Sequence, residues 1–285
     1  MNIFELAPLA LLSDNIYISV FILIFCGFLV GVTASLFGVG GGFFFTPFFH
    51  AVMNLEAPLA VATSMGQMPF LSFSGTVKNL YLRKIKIKLG VLLLISSIPA
   101  AQITAYMIGN IHHTKWGSEF LFKKITYADF FVAFFYSLLL ASLGVYGLLK
   151  NKKSEENQKK TAQPKSLTVP ILFMGIIFGF ISSVFGIGGG FLAVPFFMYY
   201  CSLSPSEAAA TSLFCIFILS AITTAHYLYM KNLYFGLSLL SAAGTTPGAV
   251  IGAYLGARMP AKKMKKYFGI LQILVAVSYL FLKFY

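Results

Sequence analysis

Residues 31–50 read GVTASLFGVGGGFFFTPFFH, and residues 179–198 read GFISSVFGIGGGFLAVPFFM. At a constant offset of 148 residues, the two windows are identical at 11 of 20 positions. The offset continues without a gap as far as Ala105-Tyr106 and Ala253-Tyr254. The chain therefore contains one ancestral half used twice, and each copy carries a run of three glycines inside an apolar segment.

The composition is that of a protein that lies mostly inside a membrane. Of the 285 residues, 58% are hydrophobic and only 10% are charged, whereas soluble domains carry about 25% charged residues. A helix of about 20 apolar residues crosses a hydrocarbon core of about 30 Å. We predict an all-α polytopic protein of the cell membrane with about eight spans, at residues 17–37, 58–80, 89–108, 128–149, 168–185, 207–230, 235–257 and 267–282.

The repeat and the spans divide the chain into three predicted parts. Residues 1–149 form a first transmembrane repeat, and residues 167–285 form a second one. Residues 150–166 join them as a basic polar linker, because this stretch has no apolar periodicity.

The glycine triplets predict a broken helix in each half. Each Gly weakens a helix by roughly 1 kcal/mol relative to Ala, and unwound backbone in a membrane is tolerated only inside protein or along a polar cavity. The apolar pieces at residues 43–53 and 191–200 are too short to cross, and we predict half-helices there. Paired interrupted segments of this kind point to a transporter's binding site. The alternative is that the glycines only let helices pack closely.

The positive charge of the chain bears on its topology. The net charge is +13, and the Lys and Arg residues lie at the ends of spans. The positive-inside rule expects such residues on the cytoplasmic side of a membrane. The expected partner is therefore the lipid bilayer and not nucleic acid. Parallel halves divide the 21 Lys and Arg residues 13 to 8, and inverted halves divide them 16 to 5. Inverted halves with an external C-terminus are therefore favoured, and a C-terminal reporter found in the cytoplasm would contradict them.

The polar groups near the two glycine runs suit a small anion. A broken helix exposes backbone N–H groups and the positive end of a helix dipole, and Ser or Thr hydroxyls add donors. All these groups are neutral, which favours an oxyanion over a cation. The alternative is that the hydroxyls only bond carbonyls of their own helix. The predicted substrate-binding residues are Ser35, Gly38, Gly40, Gly41, Gly42, Thr63 and Ser64 in the first half, and Ser183, Gly186, Gly188, Gly189, Gly190, Thr211 and Ser212 in the second.

Two further residues occupy matching positions in the halves. Lys78 and His226 both lie near the end of the second span of their half. We interpret them as a candidate pair for guiding an anion or for proton coupling. The alternative is that they are interfacial charges that snorkel to the membrane surface.

The remaining polar residues disfavour cation, metal and nucleotide chemistry. None of the eight acidic residues lies in the middle of an apolar run, where carriers coupled to cations or protons often place one; backbone carbonyls remain an alternative Na⁺ site. His112 and His113 lack neighbouring ligands, and the three cysteines show no metal or redox spacing. The GVGGGFF run also lacks the Lys and Ser/Thr of a P-loop. We therefore expect no metal and no cofactor.

The duplicated motif G-x-x-x-S-x-F-G-x-G-G-G-F-x-x-x-P-F-F, followed each time by A-x-A-T-S, resembles the sulfite exporter TauE/SafE family of membrane transporters. The likeness covers nearly the whole chain, from about residue 26 to residue 281. It implies a multi-pass plasma-membrane permease for small anions, often sulfur-containing, that commonly acts in export. It does not select the substrate.

The leading hypothesis is a secondary carrier that exports a small anion, such as sulfite or a sulfonate, by alternating access. An anion channel and a cation-coupled permease for a different small solute are the alternatives. An intramembrane enzyme is disfavoured because the spans offer no nucleophile–base pair and no metal cluster. A structural subunit would leave the two matched polar sites unexplained. The coupling ion and the oligomeric state stay open.

Overall fold

A computed structural model describes residues 9, 15–110, 120–122, 125–149 and 167–284 of the chain. The predicted linker at residues 150–166 and the pair His112 and His113 lie outside the described residues. Antiparallel strands β1 (Phe120–Phe122) and β2 (Ile125–Thr126) form a short pair. The long helices are α1 (Ile16–Phe37), α3 (Ala57–Tyr81), α4 (Ile87–Gly109), α5 (Tyr127–Leu149), α6 (Thr168–Phe185), α8 (Pro205–Tyr229), α9 (Phe235–Arg258) and α10 (Ala261–Phe284).

The predicted all-α membrane class is confirmed. Six of these helices are long and apolar enough to cross a membrane, namely α1, α4, α6, α8, α9 and α10. Each of the eight predicted spans coincides with one long helix, and α6 has the predicted bounds. The largest difference is at the start of α10, which begins at Ala261 instead of residue 267.

Each half contains the predicted helix break. Helix α1 ends at Gly38, and after the break comes α2 (Gly42–Pro47), which continues as a π-helical turn over Phe48–Val52. In the second half α6 ends at Gly186, and α7 (Gly190–Tyr199) follows. Glycine is required because φ is positive, with values of 74° at both Gly38 and Gly40, 65° at Gly186 and 81° at Gly188. In this region a residue with a Cβ atom costs roughly 1–2 kcal/mol.

The main helix pairs join the two halves to each other. Helix α1 packs along α9, α4 along α6, α3 against α8, and α5 against α10. Glycines outside the triplets allow the backbones to approach: a Cβ atom on Gly248 would overlap the Phe28 carbonyl, and one on Gly179 would overlap the Ser97 carbonyl. Close packing, which was the alternative interpretation of the triplets, is therefore one role of glycine in this fold.

Corresponding helices of the two halves run in opposite directions. Helices α3 and α8 have bounds that differ by the 148-residue offset. The Thr224 hydroxyl donates to the Met65 carbonyl at 3.1 Å. Further along, the rings of Phe73 and Phe217 lie 5.3 Å apart, so the two helices are antiparallel. This is the geometry of inverted halves, and which end faces the cytoplasm stays a prediction.

Aromatic side chains fill the space around the two breaks. The rings of Phe43 and Phe191, the residues that follow the triplets, meet edge-on at 5.6 Å, and both side chains are buried. Phe191 also stacks on Phe268 of α10 at 5.4 Å. Edge-to-face and offset-stacked pairs are favourable ring geometries. The breaks therefore lie inside the protein, as the sequence requires of unwound backbone.

Candidate functional site

The two glycine loops, residues 38–42 and 186–190, cross each other inside the molecule, and we call this place the glycine crossing. A Cβ atom on Gly42 would overlap the carbonyl of Gly186, and one on Gly190 would overlap the carbonyl of Gly38. The loops therefore run antiparallel in direct backbone contact. The structure brings together the two motifs that lie 148 residues apart in the sequence.

Several backbone amides at the crossing have no backbone acceptor. The N–H groups of Gly38 and Val39 both donate to the Ala34 carbonyl, at 2.8 and 3.0 Å. Among the described residues, no such bond is made by the N–H groups of Gly40, Gly41 and Gly42. Unpaired N–H groups at a helix start carry the positive end of the helix dipole. The start of α2 thus presents donors at the crossing.

A buried amide side chain lies beside these donors. Gln67 of α3 is fully buried, and neither its Nε2 nor its Oε1 has a hydrogen-bond partner among the described residues. A Cβ atom built on Gly41 would lie 2.5 Å from Gln67 Nε2, so the side chain faces the first glycine loop. Leaving a buried polar group unpaired costs about 1–3 kcal/mol. The sequence interpretation gave Gln67 no role, although a lone amide in an apolar span was a visible signal.

The first half also holds the second glycine loop through two hydroxyls. Thr46 Oγ1 and Ser64 Oγ lie 2.7 Å apart, and they lie 3.3 and 3.2 Å from the carbonyl oxygen of Gly186. Ser64 was predicted as a site residue, whereas Thr46 was not. Ser64 therefore lies at the crossing, in contact with the loop of the opposite half.

The two predicted threonines have hydroxyls at helix starts. Thr63 Oγ1 accepts a hydrogen bond from the Tyr234 N–H at 3.2 Å, where α9 begins. Thr211 Oγ1 accepts one from the Lys86 N–H at 3.0 Å, where α4 begins. Each threonine therefore caps a helix of the opposite half. Their recurrence one repeat apart has this structural reason, and their contact with substrate stays a prediction.

The remaining predicted residues are dispersed. The Ser183 hydroxyl donates to the Ala101 carbonyl at 3.1 Å, which joins α6 to α4. The hydroxyls of Ser35 and Ser212 are buried without a partner among the described residues. Lys78 Nζ lies 5.8 Å from the centre of the Tyr254 ring. Since α3 and α8 are antiparallel, Lys78 and His226 lie at opposite ends of the molecule and form no pair.

Elsewhere in the described residues, one cleft is too apolar to suit an anion, and no cluster of metal-binding side chains is found. An apolar cleft between α4, α5 and α6 is lined by residues such as Ile103, Phe131 and Leu138. These side chains are exposed and apolar, as lipid-facing residues are. The described part of the chain contains no group of three or more His, Cys, Asp or Glu residues arranged to hold a metal ion.

Antiparallel halves whose broken helices cross in the protein interior define a polytopic membrane transporter. A family model described as sulfite exporter TauE/SafE matches residues 23–279. The chain therefore belongs to the TauE/SafE family, as its glycine motifs indicated.

Several relatives are similar over most of their length. The chain is 27% identical to the probable membrane transporter protein YunE of Bacillus subtilis, over 86% of this chain and 90% of that protein. It is 26% identical to YjnA of the same organism, over 85% and 92% of the two chains. It is also 26% identical to a probable membrane transporter protein of Haemophilus influenzae, over 90% and 96%. No solved structure is significantly similar to the chain.

Proposed function

We propose that this transporter is a secondary carrier for a small anion, with the substrate bound at the glycine crossing. The proposed substrate is a sulfur oxyanion or a small organic acid, such as sulfite or a sulfonate, and the proposed direction is export. The observation that carries the proposal is the buried amide of Gln67, unpartnered beside the unpaired N–H groups of Gly40, Gly41 and Gly42.

The chemistry of these groups favours an anion. Four unpaired donors, three backbone N–H groups and Gln67 Nε2, are neutral and belong to the first glycine loop and to the residue beside it. A small oxyanion has several acceptor oxygens, and it gains from the dipole at the start of α2. Bound there, it would satisfy donors that otherwise stay desolvated and unpaired.

The contact between the two loops favours a carrier over a channel. With the Gly42 backbone against the Gly186 carbonyl, the crossing is filled by protein. An anion therefore reaches the amides only when the loops separate. In an inverted-repeat carrier the halves rock around a central site, and such a motion would part the loops towards one side at a time.

Two sources of energy are available for export. The anion moves down its own concentration gradient, and the membrane potential contributes about 2.3 kcal/mol per elementary charge at 100 mV. An inside-negative potential drives an anion outward. We infer transport because the family and the similar proteins are described as membrane transporters.

Solute flux in proteoliposomes tests this function. Sulfite, thiosulfate, a short sulfonate, acetate and Na⁺ are compared at a set membrane potential, with empty liposomes as the control. We expect saturable uptake and counterflow of one sulfur-containing anion. Movement of Na⁺ alone would contradict the proposal, and flux that does not saturate and shows no counterflow would identify a channel.

A further inference from the structure

A buried ionisable cluster lies on the π-helical turn that follows α2. The side chain of His50 is fully buried, and its Nε2 lies 3.0 Å from Oδ1 of Asp129, the buried acidic residue in the first turn of α5. The same oxygen accepts the N–H of Ala57, at the start of α3, at 2.9 Å. This carboxylate therefore joins three segments of the first half.

Helix α10 closes the cluster from the other side. The hydroxyl of Tyr279 is hydrogen-bonded to His50 Nδ1, and Lys283 Nζ donates to the His50 carbonyl at 3.5 Å. An ionised carboxylate only accepts hydrogen bonds, so Nε2–H of a neutral His50 donates to Asp129 and Nδ1 accepts from Tyr279. Asp129, Tyr279 and Lys283 are the titratable groups that face His50 from α5 and α10, and Glu56, before α3, is exposed.

The cluster is connected to the glycine crossing. Gly42, Thr46 and His50 are spaced by four residues along the same helical segment, so they lie near one face. The Tyr136 hydroxyl donates to the Phe43 carbonyl at 2.6 Å and lies 3.3 Å from that of Gly42. Its ring meets the Tyr279 ring at 5.3 Å. A shift of α2 therefore moves the cluster and the crossing together.

The second half has no counterpart of this cluster. The positions that match Thr46 and His50 are Val194 and Met198, which are apolar. A fold built from a repeat does not need the cluster for its architecture, because the second half makes the same break without it. Ionisable groups buried inside a membrane protein are costly, and within its helices they mark ion or proton pathways by default.

We propose that the His50–Asp129–Tyr279–Lys283 cluster is a proton-binding site coupled to the anion site. One proton from water binds at Nδ1 of His50, and Tyr279 then accepts a hydrogen bond instead of donating one. The cluster gains one positive charge about 12 Å along the helix from Gly42, at 1.5 Å of rise per residue. That charge and a bound anion stabilise each other, so the anion and the proton bind together. This inference rests on the proposed anion site.

The coupling has a reciprocal signature. If a bound proton raises the affinity for the anion, the bound anion raises the affinity for the proton by the same factor. Anion binding then takes up protons from solution, and the affinity for the anion rises as the pH falls. Carrying one proton with each anion also lowers by one the net negative charge that crosses the membrane, so the inside-negative potential still drives a dianion outward but no longer drives a monovalent anion.

The test measures proton uptake by the purified full-length chain on addition of methanesulfonate or thiosulfate, which do not take up protons near neutral pH. A pH-indicator dye in weakly buffered detergent solution reports the uptake. The variants are His50→Gln, which keeps hydrogen-bonding groups but does not titrate, and Tyr279→Phe. Glu207→Gln is the matched control, because that carboxylate pairs with Lys86 at 2.8 Å outside the cluster.

We expect up to one proton taken up per bound anion in the wild type and in Glu207→Gln, and none in His50→Gln. The affinity for the anion should rise severalfold between pH 8 and pH 6 in the wild type and stay flat in His50→Gln. Tyr279→Phe should retain uptake with a shifted pH midpoint. Anion binding without proton uptake in the wild type would overturn the inference even if His50→Gln fails to fold. Absence of any anion binding or flux in the wild type would instead refute the proposed function.

Discussion

In the first half, the glycine break faces Gln67 and continues into a helix that carries Thr46 and His50. In the second half the matching residues are Cys215, Val194 and Met198. The two loops share positive φ at the first two of their matched glycines, Gly38 and Gly40 in one loop and Gly186 and Gly188 in the other. They differ at the next glycine, because Gly41 has φ of −80° and Gly189 has φ of 69°. Gly41 faces an amide, and Gly189 faces the ring of Phe178.

This difference separates what the repeat contributes from what each half adds. The crossing of the loops and the threonine caps are present in both halves, so they belong to the scaffold. The unpartnered Gln67 amide and the His50–Asp129 pair occur in the first half only, and the second half adds Tyr279 and Lys283 to that pair. We infer that duplication supplied a symmetric frame and that the polar chemistry is specialised on the first half.

The largest expected effect is at the glycine crossing, to which both halves contribute. Gly42→Ala and Gly190→Ala each place a Cβ atom into the backbone of the opposite loop, so both should reduce counterflow at least a hundredfold. Counterflow in proteoliposomes, normalised to inserted protein, measures this effect. Gly236→Ala, in the first turn of α9, is the control and should retain flux. Normal flux in both crossing variants would show that the loops need not touch.

A second comparison concerns Ser64 and Ser212, which occupy matching positions in the two halves. Ser64→Ala removes contacts with Thr46 and the Gly186 carbonyl, and it should lower the free energy of unfolding by about 1–2 kcal/mol. Ser212→Ala removes a hydroxyl that has no partner among the described residues, so it should be neutral or slightly stabilising. Thermal unfolding in detergent distinguishes the two variants, and equal losses would show that the contact of Ser64 with the second glycine loop adds no stability.

Unlike Ser64 and Ser212, the two threonine caps should contribute equally to stability. Thr63→Ala and Thr211→Ala each free one helix-start N–H, at Tyr234 and Lys86. Losing a cap costs about 1 kcal/mol, so both should lower stability by that amount, whereas Thr63→Ser and Thr211→Ser should retain it. A marked difference between the two alanine variants would mean that one threonine has a further role.

The smallest expected effect is at the exposed ion pair of Lys86 and Glu207. Their charged atoms lie 2.8 Å apart, but the Lys86 side chain is 45% exposed. Such pairs contribute about 0–1 kcal/mol. Lys86→Met should therefore change the melting temperature of the detergent-solubilised protein by little, and the change should vanish at high salt. A large loss that is insensitive to salt would indicate a role for Lys86 beyond this pair.

The sequence predicted the helices better than it predicted the site. Hydrophobic length placed all eight long helices, and glycine chemistry placed both breaks. It began α10 too late, at residue 267 instead of Ala261, because residues 262–266 are basic and resemble a loop, whereas the helix includes them. It could not show that Thr63 and Thr211 cap helices of the opposite half, because that depends on how the halves pack.

The ionisable cluster shows a further limit of reading a chain in order. His50 and Asp129 are 79 residues apart, and Asp129 lies at the start of a span, where an acidic residue suggests an interface. The structure buries it against α2 and α3 instead. The one visible signal was a histidine within the apolar run FFFTPFFHAV, which has methionine at the matching place in the second half.

The most direct test compares anion counterflow in the wild type, in Gln67→Leu and in Cys215→Leu, the same substitution at the matching position of the second half. Proteoliposomes hold equal amounts of each inserted protein, and the concentration of the transported sulfur-containing anion is varied. We predict at least a tenfold loss of apparent affinity in Gln67→Leu and less than a threefold change in Cys215→Leu. Unchanged affinity in Gln67→Leu, or equal losses in both variants, would contradict an anion site built on the first half of the glycine crossing.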